Sequence, residues 1–188
     1  MPNNCIPGTV IPQAGVSVPM FSLLKPMIDA ADGLTLAQVS SITGLDYSTI
    51  QNWVKRGFVA KTVNKKYYGR HLARIMIISI LRDSMRIEDV GELLRLVNGD
   101  ASDERDDFLP EQDLYDVMCE VIYKTNGIEG ESAIRAVVDK VIDAHLTLAD
   151  PTKKKTLERA LFVMLYAYRA SDCKREAELY FNQMKGAE

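Results

Sequence analysis

Residues 35–59 read TLAQVSSITGLDYSTIQNWVKRGFV, two short helical segments hinged on a glycine. Thr35 followed by Gln38 forms a capping box just ahead of the apolar Val39 and Ile42. That helix is expected to stop at Gly44. Asp46 is a suitable N-cap for a second helix reaching about Arg56 and ending at Gly57. Two helices that cross closely need a small residue on the first and a turn residue that tolerates positive φ. Ser40 and Gly44 meet those needs, and Leu45, Ile50 and Trp53 supply the inward packing.

On a helical wheel the second helix divides in two. Tyr47, Ile50, Trp53 and Val54 share one face, expected to point inward, with Trp53 as core. Ser48, Gln51, Asn52 and Lys55 fall opposite, a polar stripe with no carboxylate. Gln and Asn each make paired hydrogen bonds to adenine in the major groove, and Ser and Lys suit phosphates or base edges. The stripe therefore predicts a recognition helix over about 46–56, with Arg56 at its end. The bland alternative is a helix pair inside a bundle whose polar face meets only water.

Working outward, residues 58–68 hold the β-formers Phe58, Val59, Val63, Tyr67 and Tyr68 around the turn-prone Asn64. They predict a small β-hairpin wing whose Lys61, Lys65 and Lys66, with Arg70 just beyond, lie on a phosphate backbone. A third helix is expected from about Arg70 to Asp83 and a fourth from about Ile87 to Val97, with His71 on the surface. Between Tyr47 and Arg82 there are eight Lys and Arg and no Asp or Glu, so all 26 acidic residues face only the other 15 basic ones elsewhere. A basic island in an acidic chain is the electrostatic footprint of a local phosphate-binding surface.

The remainder reads as helices and connections. Residues 1–20, with Pro2, Pro7, Pro12, Pro19, Gly8 and Gly15, predict a flexible leader. Residues 21–99 then comprise a short helix, Phe21 to Ala31, and the head just described. The acidic stretch DASDERDD at 100–107 predicts a linker. Residues 108–188 predict a helical dimerisation or effector domain. Leu114, Val117, Met118, Val121 and Ile122 repeat at helical spacing, and so do Ile134, Val137, Val138, Val141 and Ile142. Asp150-Pro151 opens a further helix whose segment Ala160 to Tyr168 is apolar nearly all round, expected to be central in a bundle or buried in a dimer. An amphipathic piece, Arg175 to Lys185, closes the chain. The fold class expected is all-α.

The stretch at 35–59, together with KKYYGRHLARIMIISILRDSMRIEDVGELL at 65–94, resembles the MerR family in its order of helix, turn, helix, wing, helix and a closing I-E-D-V-x-x-L-L helix. The resemblance covers about residues 34–97. It implies a winged helix-turn-helix and binding to double-stranded DNA. The whole chain is more similar to a bacterial family of this size with a MerR-like head, domain-of-unknown-function family 1836, on the runs I-Q-N-W-V-K-R-G and K-K-Y-Y. That similarity implies a DNA-binding role and no established activity. MerR proteins commonly carry Arg-Tyr-Tyr-Glu in the second helix, where this chain has Gln51-Asn52-Trp53-Val54, so a different base or phosphate preference is expected. In place of a cysteine-containing metal loop there is an acidic linker and a helical domain, which makes metal sensing a poor reading.

No catalytic chemistry stands out. There is no Gly-rich phosphate loop, nucleophile motif or Cys-x-x-Cys, and Cys5, Cys119 and Cys173 are far apart and odd in number. No enzymatic activity, cofactor or metal is expected. No apolar run approaches the roughly 20 residues that cross a bilayer, and no signal peptide is evident, so a cytoplasmic location away from membranes is the default. The expected partners are double-stranded DNA and a second copy of the chain, since a homodimer doubles the base contacts of one small head. Two alternatives stay open: a protein-interaction adaptor on a winged-helix fold, and a sensor whose small-molecule effector sits between C-terminal helices near Tyr123, Tyr166 or Tyr168.

Overall fold

A computed structural model describes residues 5–12, 20–103, 107–145 and 150–186. Among them are eight helices: α1 (Met20–Ala30), α2 (Leu36–Thr43), α3 (Tyr47–Lys55), α4 (Gly69–Leu81), α5 (Ile87–Asn98), α6 (Glu111–Lys124), α7 (Glu131–His145) and α8 (Pro151–Gly186). The all-α expectation holds at that level. The centre of the molecule, however, is α4. Every residue from His71 to Leu81 is buried, because the run LARIMIISIL, apart from Arg74 and Ser79, is apolar round the helix and so needs neighbours on all sides. It packs most extensively on α6 and also meets α8, α5, α1 and α2. Helices α6, α7 and α8 pack on one another beside it.

The local signals at 35–59 act as expected. Thr35 and Gln38 make a reciprocal capping box at the start of α2. Gly44 ends α2 at φ 70°, its N–H donating to the Ser40 carbonyl. The Ser40 hydroxyl donates to the Leu45 carbonyl at 2.7 Å, so the small residue also ties the three-residue turn shut. Asp46 sits at the N-cap of α3 with extended backbone, but its carboxylate makes no capping hydrogen bond.

The leader differs from its expected flexible state over residues 5–12. Ile6, Pro7, Gly8 and Thr9 are buried. The Ile6 N–H donates to the Ile11 carbonyl at 2.9 Å, closing a tight loop, and the Tyr115 hydroxyl on α6 donates to the Pro7 carbonyl at 2.8 Å. The Val10 N–H donates to the Ile42 carbonyl at the end of α2. Four residues of Pro- and Gly-rich sequence thus fill a groove between the short helix pair and α4. The remaining parts of the expected leader, 1–4 and 13–19, lie outside the described residues.

The acidic stretch 100–107, expected to part a head from a C-terminal domain, joins α5 to α6 without parting their cores. One cluster of buried apolar side chains runs from Ile28 and Ile50 through Ile77 to Leu114 and Leu161. The reason lies in α4, whose second face is covered by α6 and α8 from beyond the acidic stretch. Residues 104–106 lie outside the described set. Finally, the two C-terminal segments expected separately are one 36-residue helix, α8, opened by Asp150, whose carboxylate accepts from the Thr152 N–H.

Candidate nucleic-acid interface

Helix α3 is anchored on one face and open on the other. Ile50 and Trp53 are buried, and the Arg82 guanidinium lies 5.5 Å from the Trp53 ring centroid. Trp53 is core, as its register indicates. Ser48, Gln51, Asn52 and Lys55 are all exposed, so the whole predicted stripe faces outward. Tyr47 does not join the inward face as expected: it is 51% exposed. It occupies the first turn of α3, and by helical geometry it lies beside Gln51 on the open face. An aromatic residue at i−3 from a buried Ile has the register of core, and it is the tertiary packing that leaves Tyr47 half exposed.

Residues 58–68, expected as a β-hairpin wing, form a loop after α3. Among the described residues there is no strand. Instead, two isolated antiparallel bridges, Val63 with Lys66 and Leu34 with Tyr67, hold residues 58–68. Asn64 and Lys65 have φ of 51° and 60°, the pair of left-handed residues that closes a two-residue type I′ turn. The arms do not extend as a ladder because their main-chain groups are committed elsewhere. Tyr67 is buried, and its main chain pairs with Leu34 in both directions at 2.8 Å. The Phe58 and Val59 N–H groups both donate to the Trp53 carbonyl. The Arg74 Nε donates to the Phe58 carbonyl at 2.7 Å.

His71, expected on the surface, is buried and fastens this loop from below. Its Nδ1 accepts from the Tyr68 N–H at 3.0 Å, which leaves the proton of the neutral ring on Nε2, 3.2 Å from the Lys61 carbonyl. The ring therefore bridges both ends of the loop.

The predicted cations separate into two groups. Lys55, Lys61 and Lys65 are exposed, and no described residue pairs with their ammonium groups. Lys66 is different: its Nζ donates to the carbonyls of Ala31 and Gly33, both at 3.2 Å, closing the end of α1. The Arg70 Nη2 donates to the Ala101 carbonyl. Arg56 is intermediate, exposed and stacked on Phe58, yet ion-paired at 2.6 Å to Glu88 at the start of α5. The Arg56 guanidinium in turn holds the Glu88 carboxyl below its usual range. Glu88 lies six residues past the end of the acid-free stretch, so the island is partly answered by an acid the sequence order hides.

Other candidate chemistry is sparse. Among the described residues no three His, Cys, Asp or Glu side chains cluster as metal ligands, and no described helix is long and apolar enough to cross a membrane. Tyr123 and Tyr168 share a groove with Arg169 beside α6, whereas Tyr166 is 47% exposed and stacks on Phe162. Cys119 is fully buried, and burial holds its thiol well above the usual range.

Residues 24–118 match the model of a family described as a domain of unknown function (DUF1836). No curated protein and no solved structure matches the chain. The family match begins within α1 and ends within α6, so it spans the acidic stretch and takes in α4 with α2, α3 and α5 but not α7 or α8.

Proposed function

We propose that this chain, which belongs to the family described as a domain of unknown function (DUF1836), is a non-enzymatic regulator that binds double-stranded DNA in a sequence-dependent way. In this reading α2 and α3 are a MerR-like helix-turn-helix, and α3 enters the major groove. Gln51 and Asn52 read base edges, Ser48 and Lys55 bind base edges or phosphates, and Tyr47 packs against the backbone or a thymine methyl. Lys61 and Lys65 hold phosphates from the turn that replaces a full wing. Lys66, Arg70 and Arg56 contribute positive potential rather than direct contacts, since carbonyls or a carboxylate already occupy them.

The observation that carries the reading is the composition of the open face of α3. Five adjacent residues are exposed with no carboxylate among them, in a chain where acids outnumber bases. A merely solvated helix face has no reason to exclude acids. The chain acts as a homodimer in this reading, with two heads on two half-sites. The test is an electrophoretic mobility shift with genomic fragments at low salt. A protein–interaction adaptor would show no shift and would instead lose a protein partner on charge reversal at Lys61 and Lys65.

A further inference from the structure

Helix α8 has a second face that the fold leaves uncovered. Its inner face, including Leu157, Leu161, Met164, Leu165 and Ser171, is buried. Opposite runs another series: Val163, Tyr166, Ala170, Cys173, Ala177, Tyr180 and Met184, with spacings alternating three and four. All seven are exposed, and the four largest, Val163, Tyr166, Tyr180 and Met184, are 41%, 47%, 69% and 72% exposed. Alternating three-and-four spacing of apolar residues is the seam of a helix that coils around another helix. A helix that ran only through the bundle would need no such seam. Moreover, past Ser171 no α8 residue is buried.

We propose that this face binds the same face of a second copy of the chain, with the two α8 helices antiparallel. Charge decides the direction. With Val163, Ala170, Ala177 and Met184 as one seam row and Tyr166, Cys173 and Tyr180 as the other, Arg169 and Glu176 flank one side and Lys174 the other. A parallel pair sets Arg169 against the other copy's Lys174, like against like. An antiparallel pair sets Arg169 against Glu176 of the second copy, twice by symmetry. Size agrees in the same register. Val163 then meets Tyr180, Tyr166 meets Ala177, and Ala170 meets Cys173, each large residue against a small or medium one. A parallel pair would stack Tyr166 on Tyr166 and Ala177 on Ala177. Arg169 already donates through Nη2 to the carbonyls of Thr125 and Ile128, and a guanidinium has five N–H donors, so it keeps others for the carboxylate. The overlap from Val163 to Tyr180 is about 27 Å long at 1.5 Å per residue.

This interface deepens the homodimer reading but is measured without DNA, so a chain that dimerises and ignores DNA is told apart from one that does neither. Sedimentation equilibrium of the full chain should give a monomer–dimer equilibrium reaching twice the monomer mass. Glu176→Arg should raise the dissociation constant about tenfold, from two lost flanking pairs and two new repulsions. Tyr166→Glu with Tyr180→Glu should leave a folded monomer with unchanged circular dichroism, because both side chains are exposed in the single chain. Ala170→Cys should form an inter-chain disulfide with the native Cys173 on mild oxidation, and should lose it when Cys173→Ser is added. A monomer at every concentration overturns the proposal. So does a dimer indifferent to the tyrosine changes, or a cross-link that persists in the Cys173→Ser background, which is the mark of a parallel pair.

Discussion

Arg74 on α4 and Glu111 at the start of α6 form an ion pair shut away from water, with side chains only 5% and 7% exposed. Arg74 also holds the Phe58 carbonyl just past α3, so one guanidinium links the helix proposed to read DNA with the helix that anchors the bundle. Among the described residues the second Glu111 oxygen, Oε2, has no hydrogen-bond partner. Burying two charges is costly, and removing one leaves the other uncompensated. Glu111→Ala should therefore destabilise the chain by about 3 kcal/mol or more in urea unfolding. Arg74→Met should cost at least as much, because it also orphans the Phe58 carbonyl. The double variant should cost less than the sum of the two, by an interaction term of about 1–3 kcal/mol. Strict additivity would show that the pair does not act as a unit.

Gly44 combines a left-handed backbone with a steric contact. Its φ is 70°, and a Cβ placed there would lie 2.6 Å from the Val10 Cγ1 of the docked leader. Gly44→Ala should cost about 2 kcal/mol, part from the left-handed conformation and part from displacing Val10. Adding Val10→Ala should recover the second part only. Removal of residues 1–12 should destabilise the chain further, since it strips the Pro7 carbonyl from Tyr115 and leaves the Ile42 carbonyl without its donor. A truncated chain as stable as the full one would contradict the packed leader.

The two groups of cations should behave differently on mutation. Lys61→Glu and Lys65→Glu should weaken DNA binding nearly uniformly across sequences and lower the salt dependence, with no change in thermal stability. Lys66→Met should do the reverse, lowering stability by about 1 kcal/mol through the lost bonds to Ala31 and Gly33, with a small effect on DNA. Fluorescence anisotropy at two salt concentrations, beside thermal melts, separates the outcomes. Equal loss of affinity at all three lysines would contradict the division.

The thiols should label in a fixed order. Burial raises the Cys119 thiol far above the range where thiolate forms at neutral pH, so in the native chain it should resist alkylation at pH 8 and react only on unfolding. Cys173 is exposed on the seam of α8 and should react readily in dilute protein, then more slowly as concentration rises and the seam is covered. Mass spectrometry after timed alkylation reads both rates.

Much of this was legible in residues 35–59. The capping box, the stop at Gly44 and the buried Trp53 are local or periodic features, and local chemistry fixes them wherever the segment sits. What misled was tertiary. The leader looked loose because prolines and glycines signal irregular backbone, yet irregular backbone packs well when Tyr115 supplies a hydrogen bond and α4 an apolar wall. The acidic stretch looked like a boundary because charge says nothing about which helices share a core. Lys66 and Arg70 counted as free cations in the charge tally, although main-chain carbonyls hold them. In α8, the apolar run at Ala160 to Tyr168 is a stronger signal than the fainter seam that continues through two alanines and a cysteine to Met184.

The open face of α3 is proposed to read DNA sequence. Selection of bound fragments from randomised double-stranded DNA, run in parallel for the native chain and for Gln51→Ala with Asn52→Ala, tests it most directly. The native chain should recover a motif, arranged as two inverted half-sites, and the double variant should recover fragments without that motif while still binding at low salt. Failure of the native chain to enrich any sequence, or enrichment of the same motif by the variant, would contradict it.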